Sequence, residues 1–352
     1  MPWQEGTAVV IGLSGLLITN FLPGVFNVVF FALLLLGVLG LNREKDRAAR
    51  RVDYGNKAVL VTGCDTGLGH ELVKRLDVRG LTLFAGCLSE SSQGAMKLKE
   101  VCSDNVHVLQ LDITKDEEVN AAFNFVSKTC NATGKKFWAV VNNAGVNPLG
   151  AVEITPLDGY QACMDINLYG MIRISKAFLP LIRKSKGRIV NVTSVKGLVV
   201  YPLESVYSCS KFAAECFSDC LRREMTSFGV DVVIVEPGHF GGATAIVDIE
   251  KIRPQMIEQW ESMSTELKEA YPKDKTVSNV LNFIGGDATG SATDVTPVID
   301  AFEDALLSVV PRDRYLIGGS TSLVDKYKLM AILGPLLPGW IMDRILTKVS
   351  DT

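Results

Sequence analysis

The sequence has little of what metal sites, disulfide frameworks and nucleic-acid interfaces require. Its 352 residues include only three histidines, and no cluster of His, Cys and carboxylate residues has metal-ligand spacing. None of the eight cysteines forms a C-x-x-C pair, and scattered cysteines in a chain of this length are typical of reduced thiols. The net charge is −3, without a Lys/Arg-rich patch. We therefore expect neither a metal nor a nucleic-acid partner, and a reducing compartment.

Charged residues are absent from one long apolar run near the N-terminus, Gly6–Asn42. A helix of this length would extend about 55 Å, whereas the hydrocarbon core of a bilayer is about 30 Å thick. An interruption near Pro23 is therefore expected, and Val25–Leu41 is the best candidate for a transmembrane helix. A cleaved signal peptide would instead need a basic N-terminal region and a shorter apolar core. Residues 1–42 are thus predicted to form a membrane anchor, as one span or as a hairpin.

Basic residues follow the apolar run but do not precede it. Five lie in a basic linker, residues 43–56, namely Arg43, Lys45, Arg47, Arg50 and Arg51. Because the cytoplasmic flanks of membrane segments carry an excess of Lys and Arg, the rest of the chain is expected on the cytosolic side of the endoplasmic reticulum or in the mitochondrial matrix. This orientation agrees with reduced cysteines.

From residue 57 onward, short apolar strands alternate with longer amphipathic helical stretches. This alternation predicts an α/β fold over residues 57–320, with a single doubly wound parallel sheet covered by helices on both faces. The alternation of strands and helices is interrupted at residues 238–290, where an insertion after a late strand is expected to cover a substrate. The predicted strands are Ala58–Thr62, Thr82–Ala85, His107–Leu111, Trp138–Asn142, Arg188–Val192, Asp231–Glu236 and Tyr315–Ile317. The predicted helices include Leu68–Val78, Glu117–Thr129, Gly159–Lys184, Ser208–Ser227 and Asp294–Leu307.

Residues 321–352 form a C-terminal extension that is unusually apolar, above all over Leu329–Leu346. Such a segment can lie on a membrane surface, line the entrance to a binding site or pack on a partner subunit. Packing on its own domain is an equally simple interpretation. The sequence leaves these four readings open.

Three glycines, Gly63, Gly67 and Gly69, lie between the first strand and the first helix. Glycines at such a turn bring backbone N–H groups close to a pyrophosphate, and the N-terminus of the following helix adds partial positive charge. A glycine pattern alone is weak evidence. This one opens the first strand–helix unit of an alternating pattern, which is the required context, so we predict a dinucleotide-binding turn.

Further motifs follow the glycine turn in register. They are Asn142-Asn143-Ala144-Gly145 after the fourth strand, Ser194 after the fifth, Tyr207-x-x-x-Lys211 in the next helix, and Pro237-Gly238 after the sixth strand. Together with the T-G-x-x-x-G-x-G spacing of the turn, they resemble the short-chain dehydrogenase/reductase family over residues 58–238. The resemblance implies a Rossmann-like fold, a nicotinamide cofactor and hydride transfer between an alcohol and its carbonyl.

The spacing of Tyr207 and Lys211 puts both side chains on one helix face. An ammonium group nearby favours a phenolate, so we expect the pKa of Tyr207 to lie below its ordinary value. The resemblance implies that Tyr207 exchanges a proton with the substrate, which Ser194 holds by a hydrogen bond. It also implies that Lys211 binds the nicotinamide ribose and that Asn167 completes a proton relay through water. A catalytically idle NAD-binding scaffold is the alternative, but it would have no need of a phenol–ammonium pair.

Charge placement favours NAD over NADP. Asp65 lies inside the glycine turn, where an anionic side chain would repel a 2′-phosphate, and no Arg or Lys is placed to bind one. Cys87-Leu88 stand where an acidic residue usually follows the second strand. Asp112 matches the family acid beside the adenine, although a cap at the strand end is also plausible. The implied cofactor-binding residues are Gly63, Asp65, Thr66, Gly67, Leu68, Gly69, Asp112, Asn143, Ala144, Gly145, Tyr207, Lys211, Pro237 and Gly238.

Several stretches, including FSDCLRREM and VEPGHFGGAT, resemble the branch of the family that contains 3-hydroxybutyrate dehydrogenase. The same branch contains 17β-hydroxysteroid dehydrogenase type 2 and retinol dehydrogenases. A hydroxybutyrate needs a cation for its carboxylate, whereas a lipid-like steroid or retinoid needs an apolar slot. The small-molecule substrate is thus expected to be a 3-hydroxybutyrate or, alternatively, a steroid or retinoid. Gly242 stands where the family often has a Thr that holds the carboxamide, and Thr244 follows two residues later. The resemblance also implies assembly as dimers or tetramers.

Overall fold

The computed structural model describes residues 30–39, 50–244, 249–322 and 325–346, without the side chains of residues 249, 251 and 283–289. By its internal contacts the chain divides into two units, Met1–Val52 with Ser308–Val310, and Asp53–Leu307 with Pro311–Thr352. Residues 30–39 form a helix whose apolar side chains are mostly exposed. No helix within the described ranges is long and apolar enough to cross a membrane. Both ends of the predicted span Val25–Leu41 lie outside those ranges.

One parallel sheet of seven strands forms the centre of the second unit. The strands are β1 (Lys57–Thr62), β2 (Thr82–Cys87), β3 (Val106–Gln110), β4 (Lys136–Asn142), β5 (Arg188–Val192), β6 (Asp231–Pro237) and β7 (Arg314–Ile317). They lie in the order β3-β2-β1-β4-β5-β6-β7, and every neighbouring pair is parallel. The predicted doubly wound sheet is thereby confirmed. Its strand order reverses between β1 and β4, and ligands of such sheets bind at this switch point.

Helices surround the sheet because its strands are apolar on both sides. The strands β1, β2 and β5 are buried along nearly their whole length. The helices are α1 (Gly67–Val78), α2 (Gln93–Val101), α3 (Asp116–Thr133), α4 (Leu157–Met164), α5 (Met171–Ser185), α6 (Ser205–Met225), α7 (Ile249–Glu261), α8 (Thr265–Ala270), α9 (Lys273–Gly290), α10 (Thr296–Leu307), α11 (Lys326–Leu333) and α12 (Gly339–Leu346). On one face α3, α5 and α6 contribute to a core cluster around Phe84 and Phe178. This double coverage is the physical reason for near-continuous apolar strands.

The structure differs from the predicted helices in three respects. The helix predicted over Gly159–Lys184 is interrupted by a π-helical segment, Asp165–Gly170, which joins α4 to α5. The helix predicted to begin at Ser208 begins at Ser205, so Tyr207 lies inside its first turn. The helix α2 was not predicted, since it is short and buries only Ala95 and Leu98. The inserted region after β6 is helical over α7, α8 and α9.

The C-terminal extension packs one side onto its own domain. Tyr327 and Ala331 of α11 are buried in a cluster with Val195, Val199 and Tyr201, which lie just after β5. The opposite side carries large exposed apolar residues, among them Leu336 and Trp340. The extension therefore reaches the segment that follows Ser194, the residue singled out by the sequence.

Candidate active site

A cavity of about 390 Å³ opens at the carboxyl ends of β1, β4, β5 and β6. Nearly all of the sequence-predicted site residues line it, namely Gly63, Asp65, Thr66, Gly67, Leu68, Asp112, Asn143, Ala144, Gly145, Ser194, Tyr207, Lys211, Pro237 and Gly238. Two predicted residues, Gly69 and Asn167, are not in the lining and lie behind it. Parallel strands end at one edge of the sheet, and this is why motifs up to 175 residues apart meet there.

The glycine turn packs closely against the residues that follow β4. Gly63 has a φ of +69°, and a Cβ at this position would lie 2.8 Å from the Cα of Ala144. The Asn143 side chain donates hydrogen bonds to the carbonyl oxygens of Thr62 and Gly63, at 2.9 and 3.0 Å. A Cβ on Gly69 would lie 2.5 Å from the Nδ2 atom of that side chain. Glycine is therefore required at both positions for close packing as well as for the turn.

The N-terminus of α1 faces the cavity with its backbone N–H groups available. Among the described residues, none caps it with a side chain, and its first turn contains no acidic residue. The first N–H groups of a helix have no partner within the helix and carry the positive end of its dipole. Such an end is complementary to a pyrophosphate. The glycine cradle and this helix end together fit a dinucleotide.

Two carboxylates flank the end of the cavity that lies near β2 and β3. The Oδ2 atom of Asp65 accepts a hydrogen bond from the backbone N–H of Leu88, just after β2, at 2.8 Å. Asp112 accepts bonds from the backbone and hydroxyl of Thr114, at 3.0 and 2.7 Å. Burial raises the pKa of Asp112, but these bonds and Lys115 outweigh it, so the pKa is lower than usual. Asp112 thus lines the cavity and also caps the turn that follows β3.

Ser194, Tyr207 and Lys211 come together at the deep end of the cavity. All three are buried, with exposed fractions of 6%, 5% and 3%. The ammonium of Lys211 lies 5.5 Å from the ring centre of Tyr207 and donates to the carbonyl oxygen of Val192 at 2.9 Å. The Ser194 hydroxyl donates to the carbonyl oxygen of Pro237 at 3.3 Å. The loop after β5 and the first turns of α6 therefore place two hydroxyls and one ammonium around a single space.

Burial dominates the protonation of this group. It raises the pKa of Tyr207 well above its ordinary value, although the hydrogen bond with Ser194 lowers it. The expectation that the pKa of Tyr207 lies below its ordinary value is therefore wrong, because desolvation by burial outweighs the other effects. Burial also lowers the pKa of Lys211, to about 8. Both groups are thus driven towards their neutral forms.

Asn167 lies in the π-helical segment and holds the cavity wall from behind. Its Oδ1 atom accepts from the backbone N–H of Val146, and its Nδ2 atom donates to the carbonyl oxygen of the same residue, both at 2.9 Å. Nδ2 also donates to the hydroxyl of Ser210 on α6, at 2.9 Å. Its side chain thereby ties the segment after β4 to the helix that carries Tyr207. The π-helical irregularity sits where such features often occur, next to a functional site.

The structure adds residues to the site that the sequence did not reveal. Lys196 and Glu204 form an ion pair in the cavity lining, with Nζ and Oε2 2.5 Å apart. Asn147, Leu149, His239 and Phe240 line the cavity as well. A signal was present for the pair, since Lys196 is two residues after Ser194 and Glu204 three before Tyr207.

Gly242 and Thr244 occupy different places relative to the cavity. Gly242 lies outside the lining, and its N–H donates to the Ser291 hydroxyl at 2.9 Å. Thr244 lines the cavity, and the Cβ of Thr244 would lie 3.4 Å from a Cβ placed on Gly67. Thr244 is therefore the threonine that reaches the glycine turn.

Comparison with known proteins agrees with this geometry. The sequence model of the short chain dehydrogenase family matches residues 57–251. Mitochondrial D-beta-hydroxybutyrate dehydrogenase of Bos taurus is 39% identical, over 83% of this chain and 84% of that protein. The 17-beta-hydroxysteroid dehydrogenase type 6 of Bos taurus is 40% identical over 75% of this chain and 81% of that protein. Retinol dehydrogenase 16 of Homo sapiens is 37% identical over 84% of this chain and 90% of that protein.

Solved structures share the fold. A short-chain dehydrogenase from Streptomyces avermitilis superposes with a TM-score of 0.60 at 21% identity, over 84% of this chain and 98% of that one. The family match covers the glycine turn, Ser194, Tyr207 and Lys211. The chain is therefore a member of the short-chain dehydrogenase family and of the branch that holds these hydroxybutyrate, hydroxysteroid and retinol dehydrogenases.

Proposed function

We propose that this protein catalyses the NAD-dependent interconversion of a secondary alcohol and its ketone. The observation that carries the proposal is the burial of Ser194, Tyr207 and Lys211 together in one cavity, which also receives the N-terminus of α1, where no side chain of the described residues forms a cap. The buried hydroxyls and ammonium provide proton chemistry, and the helix end provides a site for a dinucleotide. Family membership supports the same reaction class.

The residues present fit a nicotinamide dinucleotide along the length of the cavity. Gly63, Thr66, Gly67 and Leu68 would hold the pyrophosphate, with Gly69 keeping the turn compact. Asn143, Ala144, Gly145, Pro237 and Gly238 would form the walls around the nicotinamide half, and Asp112 would adjoin the adenine. When bound, the cofactor accepts or supplies the hydride.

Charge along the cavity supports NAD over NADP. Asp65 is fixed at the end of β2 by its bond to the Leu88 N–H, and its negative charge would repel a 2′-phosphate. Among the described lining residues, the Lys and Arg side chains are Lys196 and Lys211. Both lie near the catalytic hydroxyls and hence at the opposite end. No cation in the described lining therefore stands beside Asp65 to bind a 2′-phosphate.

Tyr207 would exchange the proton and Ser194 would orient the reacting oxygen. Since burial raises the pKa of Tyr207, its phenol carries a proton at neutral pH and can donate it to a carbonyl oxygen during reduction. Alcohol oxidation requires the phenolate form, which can accept the proton of the alcohol, and a cationic Lys211 at 5.5 Å from the ring centre would stabilise that form against the effect of burial. Asn167 would keep the segment after β4 in place against α6, through its hydrogen bonds to the backbone of Val146 and to the Ser210 hydroxyl. It would also take part in a proton relay through water.

Reduction of NAD by a panel of alcohols tests the proposal. The full chain would be assayed in membranes with 3-hydroxybutyrate, estradiol and retinol, each with NAD and with NADP. We expect formation of NADH with at least one of them and slower formation of NADPH. Tight NAD binding without turnover of any alcohol would instead favour an idle scaffold, and the absence of both would contradict the proposal.

We further propose that residues 1–42 anchor this activity to a membrane, with the remainder on the cytosolic or matrix side. The support is the uncharged run Gly6–Asn42 and the basic residues that follow it. The full chain should remain in the membrane fraction after alkaline extraction, and a variant lacking residues 1–42 should not. Release of the full chain by that extraction would contradict an integral anchor.

A further inference from the structure

The buried Lys196–Glu204 pair joins the two segments that carry the catalytic hydroxyls. Lys196 lies in a single 3₁₀ turn, Val195–Gly197, which directly follows Ser194. Glu204 directly precedes α6, the helix that carries Tyr207. The two residues are 6% and 3% exposed, and both line the cavity. Taking two charges out of water is unfavourable, and a buried pair is weak evidence for a stabilising role, so its position in the lining calls for a functional reason.

The surroundings hold the ammonium of Lys196 in one place. It lies 4.0 Å from the ring centre of Tyr201 and 4.5 Å from that of Tyr327. An ammonium over aromatic faces is attracted by the ring quadrupoles. Tyr327 belongs to α11, well beyond the residues 57–251 that the family model matches. The C-terminal extension thus contributes one wall around this cation.

The backbone beside Glu204 is fixed as well. Leu203 has a φ of +69°, a left-handed conformation that is unfavourable for a residue with a branched side chain. Its carbonyl oxygen accepts a hydrogen bond from the Gly150 N–H at 2.8 Å. Strained conformations of this kind persist where the surrounding structure determines them, and they cluster at functional sites. Here the strained residue directs the next residue, Glu204, towards Lys196.

We propose that the Lys196–Glu204 pair determines substrate choice, by requiring a second oxygen a few bonds from the reacting carbon. The inference rests on the proposed alcohol–ketone reaction. The pair presents a donor ammonium next to an acceptor carboxylate, and oxygen functions such as a hydroxyl, a carbonyl or a carboxylate can bind one or both. A hydrocarbon group pressed against the same pair would remove solvent and return no hydrogen bond.

The second oxygen must lie close to the reacting carbon, because the pair and the two hydroxyls share one cavity. Lys196 and Glu204 line that cavity together with Ser194 and Tyr207, and, besides burial, the charge of Glu204 is near enough to raise the pKa of Tyr207. A group that reaches the pair is therefore only a few bonds from the carbon whose oxygen these hydroxyls would hold. A small hydroxy acid or diol meets this condition, whereas a retinoid with a hydrocarbon body does not.

Three alcohols with the same reacting end provide the test. Butan-2-ol, butane-1,3-diol and 3-hydroxybutyrate all contain CH₃–CH(OH)–CH₂, and they differ only in the next group. With saturating NAD, we expect kcat/KM for the diol or the hydroxy acid to exceed that for butan-2-ol by at least about tenfold. A kcat/KM for butan-2-ol equal to or above that of both would overturn the proposal. This comparison uses the wild-type chain and does not depend on any variant folding.

A paired substitution assigns the effect to the ion pair. Lys196→Met together with Glu204→Leu removes both charges at similar volume, whereas either change alone leaves a buried charge without its partner. We expect the double variant to lose the tenfold advantage of the oxygenated alcohols, measured as the ratio of their kcat/KM values to that of butan-2-ol, so that a change in overall turnover does not affect the readout. Retention of the wild-type ratio would contradict the assignment. The matched control is Lys74→Met with Glu71→Leu, a half-exposed pair on α1, which should keep the ratio.

The outcomes separate this inference from the proposed function. Formation of NADH from retinol or estradiol, with none from the three small alcohols, would overturn only the inference. Absence of NADH from every alcohol would overturn the proposed function itself.

Discussion

The two ends of the cavity are built in different ways. The end that we propose for the cofactor, called the cofactor end, consists mainly of backbone from the turns after β1 and β4, where glycines allow close approach. The end that we propose for the substrate, called the substrate end, carries the side chains of Lys196 and Glu204 in its lining, and Tyr327 packs against Lys196 from a separate segment. A backbone cradle is specified by a short local motif. A side-chain cluster is specified only by the fold that assembles it.

This difference explains how one fold can keep its cofactor and change its substrate. Substitution of a side chain at the substrate end leaves the glycine turn intact, because none of its atoms belong to that turn. A change in the glycine turn affects every substrate equally, since it acts on the cofactor that all of them share. The following predictions test whether the two ends are separable in this way.

Tyr207→Phe should have the largest effect and should leave the cofactor end intact. Loss of the phenolic oxygen removes proton exchange, which typically contributes about 10²–10⁴-fold to a rate. Turnover should fall by this factor while the Kd for NAD, measured by titration, stays within about twofold. Tyr169→Phe, half-exposed in the π-helical segment, is the control and should be unchanged. A Tyr207→Phe variant with near-wild-type turnover would remove Tyr207 from the chemistry.

Gly63→Ala should weaken NAD binding most among substitutions at the cofactor end. Its φ of +69° and the 2.8 Å approach to Ala144 mean that a methyl group is both strained and overpacked. The turn must shift to relieve both, and the displaced backbone N–H groups should weaken NAD binding by about 2–3 kcal/mol, or about 100-fold in Kd. Gly80→Ala has a similar φ of +81° with nothing within 4 Å, so it isolates the strain and should leave NAD binding unchanged. Equal NAD affinities for the two variants would contradict the proposal that the turn at Gly63 binds the pyrophosphate.

Lys211 should make the stability of the cofactor-free protein depend on pH. Its pKa is about 8 in the folded state against 10.5 ordinarily, so between these values the unfolded state binds more protons. Relative to Lys211→Met, the free energy of unfolding should therefore rise with pH above 8, by about 2 kcal/mol at pH 9.5. Urea titrations at pH 7.5, 8.5 and 9.5 measure it. A difference that stays flat with pH would mean that Lys211 is not desolvated.

Asp65→Ser should shift cofactor choice by a smaller factor. Removal of the negative charge beside the end of β2 should raise the affinity for NADP relative to NAD by about tenfold, or about 1.4 kcal/mol. The ratio of the two Kd values measures this directly. Asp104→Ser, on the exposed loop before β3, is a charge-matched control that should leave the ratio unchanged. An unchanged ratio in Asp65→Ser would place the discrimination elsewhere.

The sequence predicts the sheet well because buried strands are apolar throughout and punctuated by turns. All seven strands lie within two residues of their predicted bounds, including the short β7. Two helical features are not predicted by the sequence, and each has a physical reason. The helix α2 has nine residues and buries only two of them, so its periodicity is weak. The π-helical segment within Gly159–Lys184 changes the spacing locally, and a 3.6-residue pattern does not show it.

The glycine turn and the Tyr–Lys pair are also predictable, whereas the cluster around Lys196 is not. Gly63 and Gly67 are four residues apart, as are Tyr207 and Lys211, so each of these two patterns can be seen along the chain. The contact of Lys196 with Tyr327 joins residues 131 apart, and only the packing of α11 on the turn after β5 brings them together. The raised pKa of Tyr207 likewise depends on burial that spacing does not reveal.

Transfer of deuterium from a labelled alcohol tests the central claim most directly. A secondary alcohol that carries deuterium on its carbinol carbon, turned over with NAD by the wild-type chain, should yield NADH containing one deuterium by mass spectrometry. Tyr207→Phe should yield about 10²–10⁴-fold less in the same time, at equal NAD occupancy. NADH that forms without the label, or labelled NADH formed equally by Tyr207→Phe, would contradict the assignment of hydride and proton transfer to this cavity.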